Sequence, residues 1–254
     1  DPEGRSVTMS FTVTVTAVND APVASGGATL AAINEGAVNP PGASVTALFG
    51  GNFSDVADGS AANTLAGIAI SSYTIDLAKG NWQYSTDSGS SWTALANATP
   101  TNAITLNATA FLRFLPAAGF SGSATALSAN LIESGQEIIG GVAINLTGAT
   151  GGTTHVSSAT VALSATVTSV PFTSSNVAGV LTLTVKGTEC GSALLGINGA
   201  NLEASMNSGP VITLGPVTGL TAINLLGASC DDTLTLAPSF AAFGGTLTID
   251  GGGN

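Results

Sequence analysis

The 254-residue chain is 44% hydrophobic, but it carries only four basic residues (Arg5, Lys79, Arg113 and Lys186) against fifteen acidic ones, for a formal net charge of -11. A phosphate-binding surface needs clustered Lys and Arg to displace counterions, so nucleic acid and anionic membrane surfaces are excluded as partners. The apolar content suffices for the cores of two ordinary domains, and no run of about 18 apolar residues is present to insert into a bilayer.

Thr and Val favour strands, 33 Gly and 10 Pro interrupt them, and no long stretch repeats apolar residues at helical spacing. The predicted class is therefore all-β with little helix. The first element is Ser6–Val18, where Val7, Met9, Phe11, Val13, Val15 and Ala17 alternate with Thr or Ser, the period of a strand with one buried face. Asn19-Asp20-Ala21-Pro22 then ends it, since Pro cannot donate to a ladder. Ser6–Val18 aligns without gaps to Ser158–Val170, with Ser6, Thr8, Thr14, Val15, Thr16 and Val18 repeated. Both segments are read as the last strand of the same kind of module. This predicts that 1–20 is the terminal strand of a preceding repeat plus linker, 21–171 one complete repeat, and 172–254 a further β domain. The chain then reads as a slice of a tandem array.

Within 21–171, apolar runs are separated by turn chemistry at Gly50-Gly51-Asn52, Asp58-Gly59-Ser60, Lys79-Gly80-Asn81, Asp87-Ser88-Gly89-Ser90, Gly119-Phe120-Ser121-Gly122 and Gly148–Gly152. Strands recurring between such breaks suit a Greek-key sandwich. After Pro171 the runs shorten to Val180–Val185, Ala222–Leu226, 232–236 and 245–250, with Gly or Asp at their ends. Either a small sandwich or a β-helical stack fits them. Cys190 and Cys230 are the only cysteines. In an acidic, Lys-poor β-protein such a pair suits an extracellular disulfide, the alternative being two buried thiols. A loop of that length, once closed, stabilises by about 4 kcal/mol on the chain-entropy model.

Several motifs occur in a consistent order: Phe11–Pro22, Ile33-Asn34-Glu35-Gly36, Phe53-Ser54-Asp55 with Asp58, Gly80–Asp87 followed by Trp92, and Leu112-Arg113-Phe114-Leu115-Pro116. Together they resemble the cadherin-like repeats of large bacterial surface proteins and adhesins, over about two thirds of the chain. Such modules are Ig-like β-sandwiches joined end to end by Ca²⁺. The resemblance implies metal ligands at Asn19 and Asp20 of the linker, Glu35 after the first strand, and Asp55 and Asp58 in the acidic loop. By a weaker correspondence it adds Asp1 and Glu3. Hard oxygen donors from separate loops are what Ca²⁺ requires. Pro171-Phe172 replaces Asn-Asp at the second junction, so no such site is expected there. Asp231–Leu236 and Asp250–Asn254 resemble faintly the Gly/Asp rungs of calcium-binding β-rolls, but the nonapeptide repeat is not sustained.

Catalytic constellations are weak. His155, the only histidine, reads as a surface residue in a turn, and Glu133 and Glu137 read as solvated carboxylates. The chain is not expected to be an enzyme. Trp82 and Tyr84 share a strand face, and Asp87-Ser88-Gly89 can return Trp92 nearby, which makes either buried packing or a platform for glycan contact.

These readings lead to a structural, calcium-stabilised repeat of an extracellular surface, adhesin or filament-forming protein. Its expected partners are neighbouring repeats or copies of itself, with strand addition by 6–18 as one means of assembly. The alternative is a carbohydrate-binding module of a secreted protein, with surface glycans as partners.

Overall fold

The computed structural model describes residues 4, 8–13, 18–186, 191–207, 211–227 and 233–250, apart from the side chains of residues 60 and 61. The fold is all-β, with 49% strand against 8% helix. Two compact units divide the chain after Thr168, close to the expected Pro171 boundary.

In the first unit a six-stranded sheet runs in the order Ala143–Ile144, Ala103–Asn107, Leu65–Ser72, Leu127–Glu133, Val156–Ser164 and Gly27–Thr29. Its pairings are antiparallel except the last, where Gly27–Thr29 lies parallel to Val156–Ser164. A four-stranded sheet is ordered Ala43–Ser44, Phe111–Pro116, Gly80–Ser85 and Thr93–Ala94. The two share one sandwich-like core, into which Ile68, Ile70, Leu127, Ala129 and Leu131 point from the first sheet and Trp82, Leu112 and Phe114 from the second. Alternation of side chains along each strand puts these residues on one face. The other face of the six-stranded sheet is covered as well. Ala69, Ala103, Ile132 and Val156 form a second cluster with Leu146, Ile138 and Ile144 of the segment that follows Glu133. Leu65–Ser72 and Leu127–Glu133 are thereby buried on both sides, and Ser71, Asn130 and Glu133 are among the polar residues enclosed with them.

One α-helix of five residues, Val45–Phe49, interrupts the strands. Ser44 caps it, its Oγ accepting from the Ala47 N–H at 3.2 Å, and Val45 and Phe49 bury the face one turn apart.

The hairpin after Gly80–Ser85 is closed by Asp87. Its Oδ1 accepts from Ser85 Oγ at 2.6 Å and Ser91 N–H at 2.9 Å, and its Oδ2 from Ser91 Oγ at 2.6 Å. Ser85 first and Ser91 second hold the carboxyl down to about 2. A folded value below the unfolded one, about 3.9, means that the contribution is complete above pH 4 and is lost as pH falls through 2. Urea melts of wild type and Asp87→Asn should therefore differ at pH 5 and converge toward pH 2. A constant difference over that range would show that the charge is not what matters.

The expected Ser6–Val18 strand is not formed in its described part. Among the described residues Thr8–Val13 pairs with no strand, and Met9, Phe11 and Val13 are 86%, 85% and 69% exposed. Its counterpart does form, as Val156–Ser164 and Thr166–Thr168, with Val161, Leu163 and Val167 in the core. Alternation specifies which face a strand would bury, but a neighbouring sheet must supply the partner.

The second unit holds two four-stranded sheets, and the chain passes back and forth between them. Val180–Val185, Ala222–Leu226 and Thr246–Asp250 stack in parallel register in one, as Ser192–Asn198 and Thr233–Leu236 do in the other. Successive parallel strands alternating between two faces are the rungs of a β-helical stack, one of the two arrangements open from the sequence. Leu181, Leu183, Ile223, Leu225, Ala193 and Leu195 fill its interior. Antiparallel hairpin strands, Phe172–Val177 on one sheet and Asn201–Met206 on the other, flank the rungs. Cys190 and Cys230 lie outside the described residues, as do Asp1 and Glu3.

Candidate divalent-cation site at the Asn19–Asp20 linker

Strand register brings four separate segments to the point where the linker enters the first unit. Val23 pairs with Ser54, which sets Asp55 beside the linker. Leu65 pairs with Glu133, so residues 63 and 64 meet Ser134. Ile132 pairs with Val156, which places His155 next to Glu133. The loop after Asp55 turns back at Gly59, whose φ of 58° with ψ of -117° is a conformation that favours glycine. That turn returns Asp58 and Asn63 to the linker.

Asn19 is the hub. Its Nδ2 donates to Glu133 Oε1 at 2.7 Å and to the Thr154 carbonyl at 3.3 Å, and its Oδ1 accepts from Asn63 Nδ2 at 3.2 Å. The Asp20 N–H donates to Asp58 Oδ1 at 2.8 Å. The Asn63 N–H donates to Asp55 Oδ2, and Asn63 Oδ1 accepts from Ser134 Oγ at 2.8 Å. The backbone follows, with Ala21 N–H donating to the Gly152 carbonyl at 2.7 Å.

Two carboxylates in this network are buried, Asp55 at 5% exposure and Glu133 at 0%. Each satisfies one oxygen. Asp55 Oδ1 and Glu133 Oε2 are fully buried without a hydrogen-bond partner. Leaving a buried anionic oxygen unpaired is costly, and native folds rarely tolerate it without an ion or a water. The donors are all hard oxygens, including amide and backbone carbonyl groups, which suits Ca²⁺ and not a metal that prefers thiolate. Among the described residues no three His, Cys, Asp or Glu side chains converge as a metal-holding group. The oxygens that the network leaves for an ion are these carboxylate oxygens and the amide and backbone carbonyl oxygens around Asn19.

Of the expected ligands, Asn19, Asp20, Asp55 and Asp58 are brought together. Glu35 is not. Its N–H donates to the Thr168 carbonyl at 2.8 Å, at the far end of the strand run that begins beside Thr154. The resemblance gave all these ligands as one set, whereas the course of the strands separates Glu35 from the linker.

Glu133 reads from the sequence as a solvated carboxylate, and the structure corrects this. It ends the strand Leu127–Glu133, and the segment after it folds over one face of that strand's sheet. The strand's own pattern carries no signal of this, since Ser128 and Asn130 alternate with Leu127, Ala129 and Leu131. Glu137, in contrast, is exposed, as expected. His155, expected at the surface, is half-buried, with Nδ1 2.8 Å from Glu133 Oε1. With the carboxylate accepting, Nδ1 is the donor.

The three aromatic residues divide between the two readings left open by the sequence. Trp82 is wholly buried, edge-on to Phe114 with ring centroids 5.5 Å apart, and its Nε1 donates to the Thr125 carbonyl at 2.7 Å. Tyr84 shares its face, as expected, but that face is turned to the core. Trp92 alone of the three stands apart from that core cluster, half-exposed after the Asp87 turn.

Comparison with protein-family models, with curated proteins and with solved structures finds no match. The functional reading therefore rests on the residues and their geometry.

Proposed function

We propose that the chain is a structural, calcium-stabilised, cadherin-like repeat segment of an extracellular surface, adhesin or filament-forming protein. Its work is mechanical rather than enzymatic, holding one repeat at a defined angle to the next. The observation that carries this reading is that the hydrogen-bond network of Asn19 holds two buried carboxylates, Asp55 and Glu133, each with one oxygen that has no hydrogen-bond partner. A hard cation neutralises both and stiffens a linker that like charges would otherwise loosen. Without the ion, Asn19 and Asp20 hold to the body through a few hydrogen bonds at a partly exposed surface.

The exposed row of Met9, Phe11 and Val13 supports neighbouring repeats, or copies of the same chain, as partners. Paired as a strand, it would offer that apolar face to a sheet that lacks one. The test of the calcium reading is thermal melting with millimolar Ca²⁺ and with chelator. A midpoint that does not move rejects it.

A further inference from the structure

Arg113 stands out as a buried cation without an anion. It lies on Phe111–Pro116 between Leu112 and Phe114, both of which face the core, so it points to the opposite side of the sheet. Only 7% of it is exposed. Its Nε donates to Gln83 Oε1 at 2.7 Å, and its Nη1 to Asn39 Oδ1 at 2.6 Å and the Pro40 carbonyl at 3.3 Å. All three acceptors are neutral. The guanidinium carbon lies 4.1 Å from the centroid of the Trp92 ring. Among the described residues no carboxylate comes within ion-pair distance, and Nη2 has no acceptor. Burial pushes the pKa of the guanidinium down, although it stays charged at any ordinary pH. Desolvating a cation without a counter-charge is costly, and fifteen acidic residues were available to supply one.

The guanidinium forms part of the wall of an open recess of about 320 Å³, shared with Asn39, Pro40, Pro41, Ser88 and Trp92. Three separate segments build it. The Asp87 turn carries Trp92 back to the sheet, and Gly42 lets the indole close in, since a side chain at that position would overlap the ring. The result combines flat apolar walls, one unpaired positive charge, and an amide and a hydroxyl at the rim.

We propose that this recess binds a uronic acid unit of an acidic polysaccharide. Its carboxylate would meet Arg113 Nη2, and its ring would lie against Trp92 and the two prolines. A carboxylate gives the guanidinium a charge-assisted hydrogen bond that its neutral neighbours do not. The rim amide and hydroxyl suit a polyhydroxylated ligand, and the volume is near the lower limit for ligand sites. An open recess rather than an enclosed cavity suits one unit of a longer chain whose neighbours stay in solvent. This site is separate from the linker and does not depend on a cation there.

The test is calorimetric titration of the native protein, in calcium and in chelator, with trimers of galacturonate, mannuronate and glucuronate, alongside a neutral galactose trimer and glutarate. At least one acidic trimer should bind and quench or shift the Trp emission, with the neutral trimer and glutarate at least tenfold weaker. Trp92→Ala and Arg113→Met should each weaken binding at least tenfold. Trp92→Ala removes an indole packed on Gly42 and Arg113, so its melting is followed beside its binding, and the trimer comparison on the native protein does not depend on it. Should Arg113→Met fail to fold, the comparison of acidic with neutral trimer on the native protein decides the matter. Binding of none of the acidic trimers, equal binding of the neutral trimer, or equal binding of glutarate would each overturn the proposal.

Discussion

Asp55→Asn combined with Glu133→Gln should abolish the calcium response of the first unit. In the wild type, calcium at about a hundred times its dissociation constant adds ~2.7 kcal/mol. For a unit of this size that is roughly 5–10 °C in melting temperature. The two substitutions keep shape and one acceptor oxygen on each side chain but remove both negative charges, and neutral amides at those two positions do not hold Ca²⁺ against water. In chelator the order reverses or closes up. The wild type then carries two buried carboxylate oxygens with no partner, and the variant does not carry the charge. The chain has two compact units, so two transitions are expected and only that of the first should respond to calcium. A wild type indifferent to calcium rejects the proposed function. A double variant that responds as the wild type does places the ion elsewhere.

Trp82→Ala should produce the largest loss of stability among single substitutions in the chain, about 3–5 kcal/mol. It leaves a cavity in the centre of the shared core, removes the edge contact with Phe114, and leaves the Thr125 carbonyl without its donor. Trp82→Phe keeps much of the volume and the aromatic contact and should cost distinctly less. Chemical unfolding followed by circular dichroism measures both. The transition of the second unit should be unchanged, since Trp82 belongs to the core of the first alone. A loss below about 1 kcal/mol for Trp82→Ala would mean that the indole is not packed as described.

Much of the fold was legible because strand formation leaves a period-two mark. Val180–Val185, Val156–Ser164 and Gly80–Ser85 all lie where alternation or turn chemistry placed them. The same mark in Thr8–Val13 meets no sheet among the described residues, because a period-two pattern states a face to bury and not the partner that buries it. Trp82 and Trp92 show the limit in another way. Both sit on one hairpin, and the Asp87 turn between them was readable, but which side of the sheet faces the core depends on the segments stacked against it.

The linker site divides along the same line. The cadherin-like resemblance singled out Asn19, Asp20, Asp55 and Asp58 as oxygen donors, and one hydrogen-bond network through Asn63 and Asp20 joins them. Glu133 was passed over although it is the residue Asn19 binds most closely, across a sequence separation of 114. Nothing in the residues around Glu133 states what lies beside it, because that contact arises from the pairing of Leu127–Glu133 with two other strands. The sequence by itself determined the all-β class, the turns and the acidic character of the linker, since these follow from local backbone preference and composition. Only the tertiary structure decided that Glu133 is buried against the linker, that Glu35 is far from it, and that Arg113 faces a recess without a counter-charge. Burial and pairing are set by strands distant in sequence, and a carboxylate or guanidinium takes its character from whatever those strands bring to it.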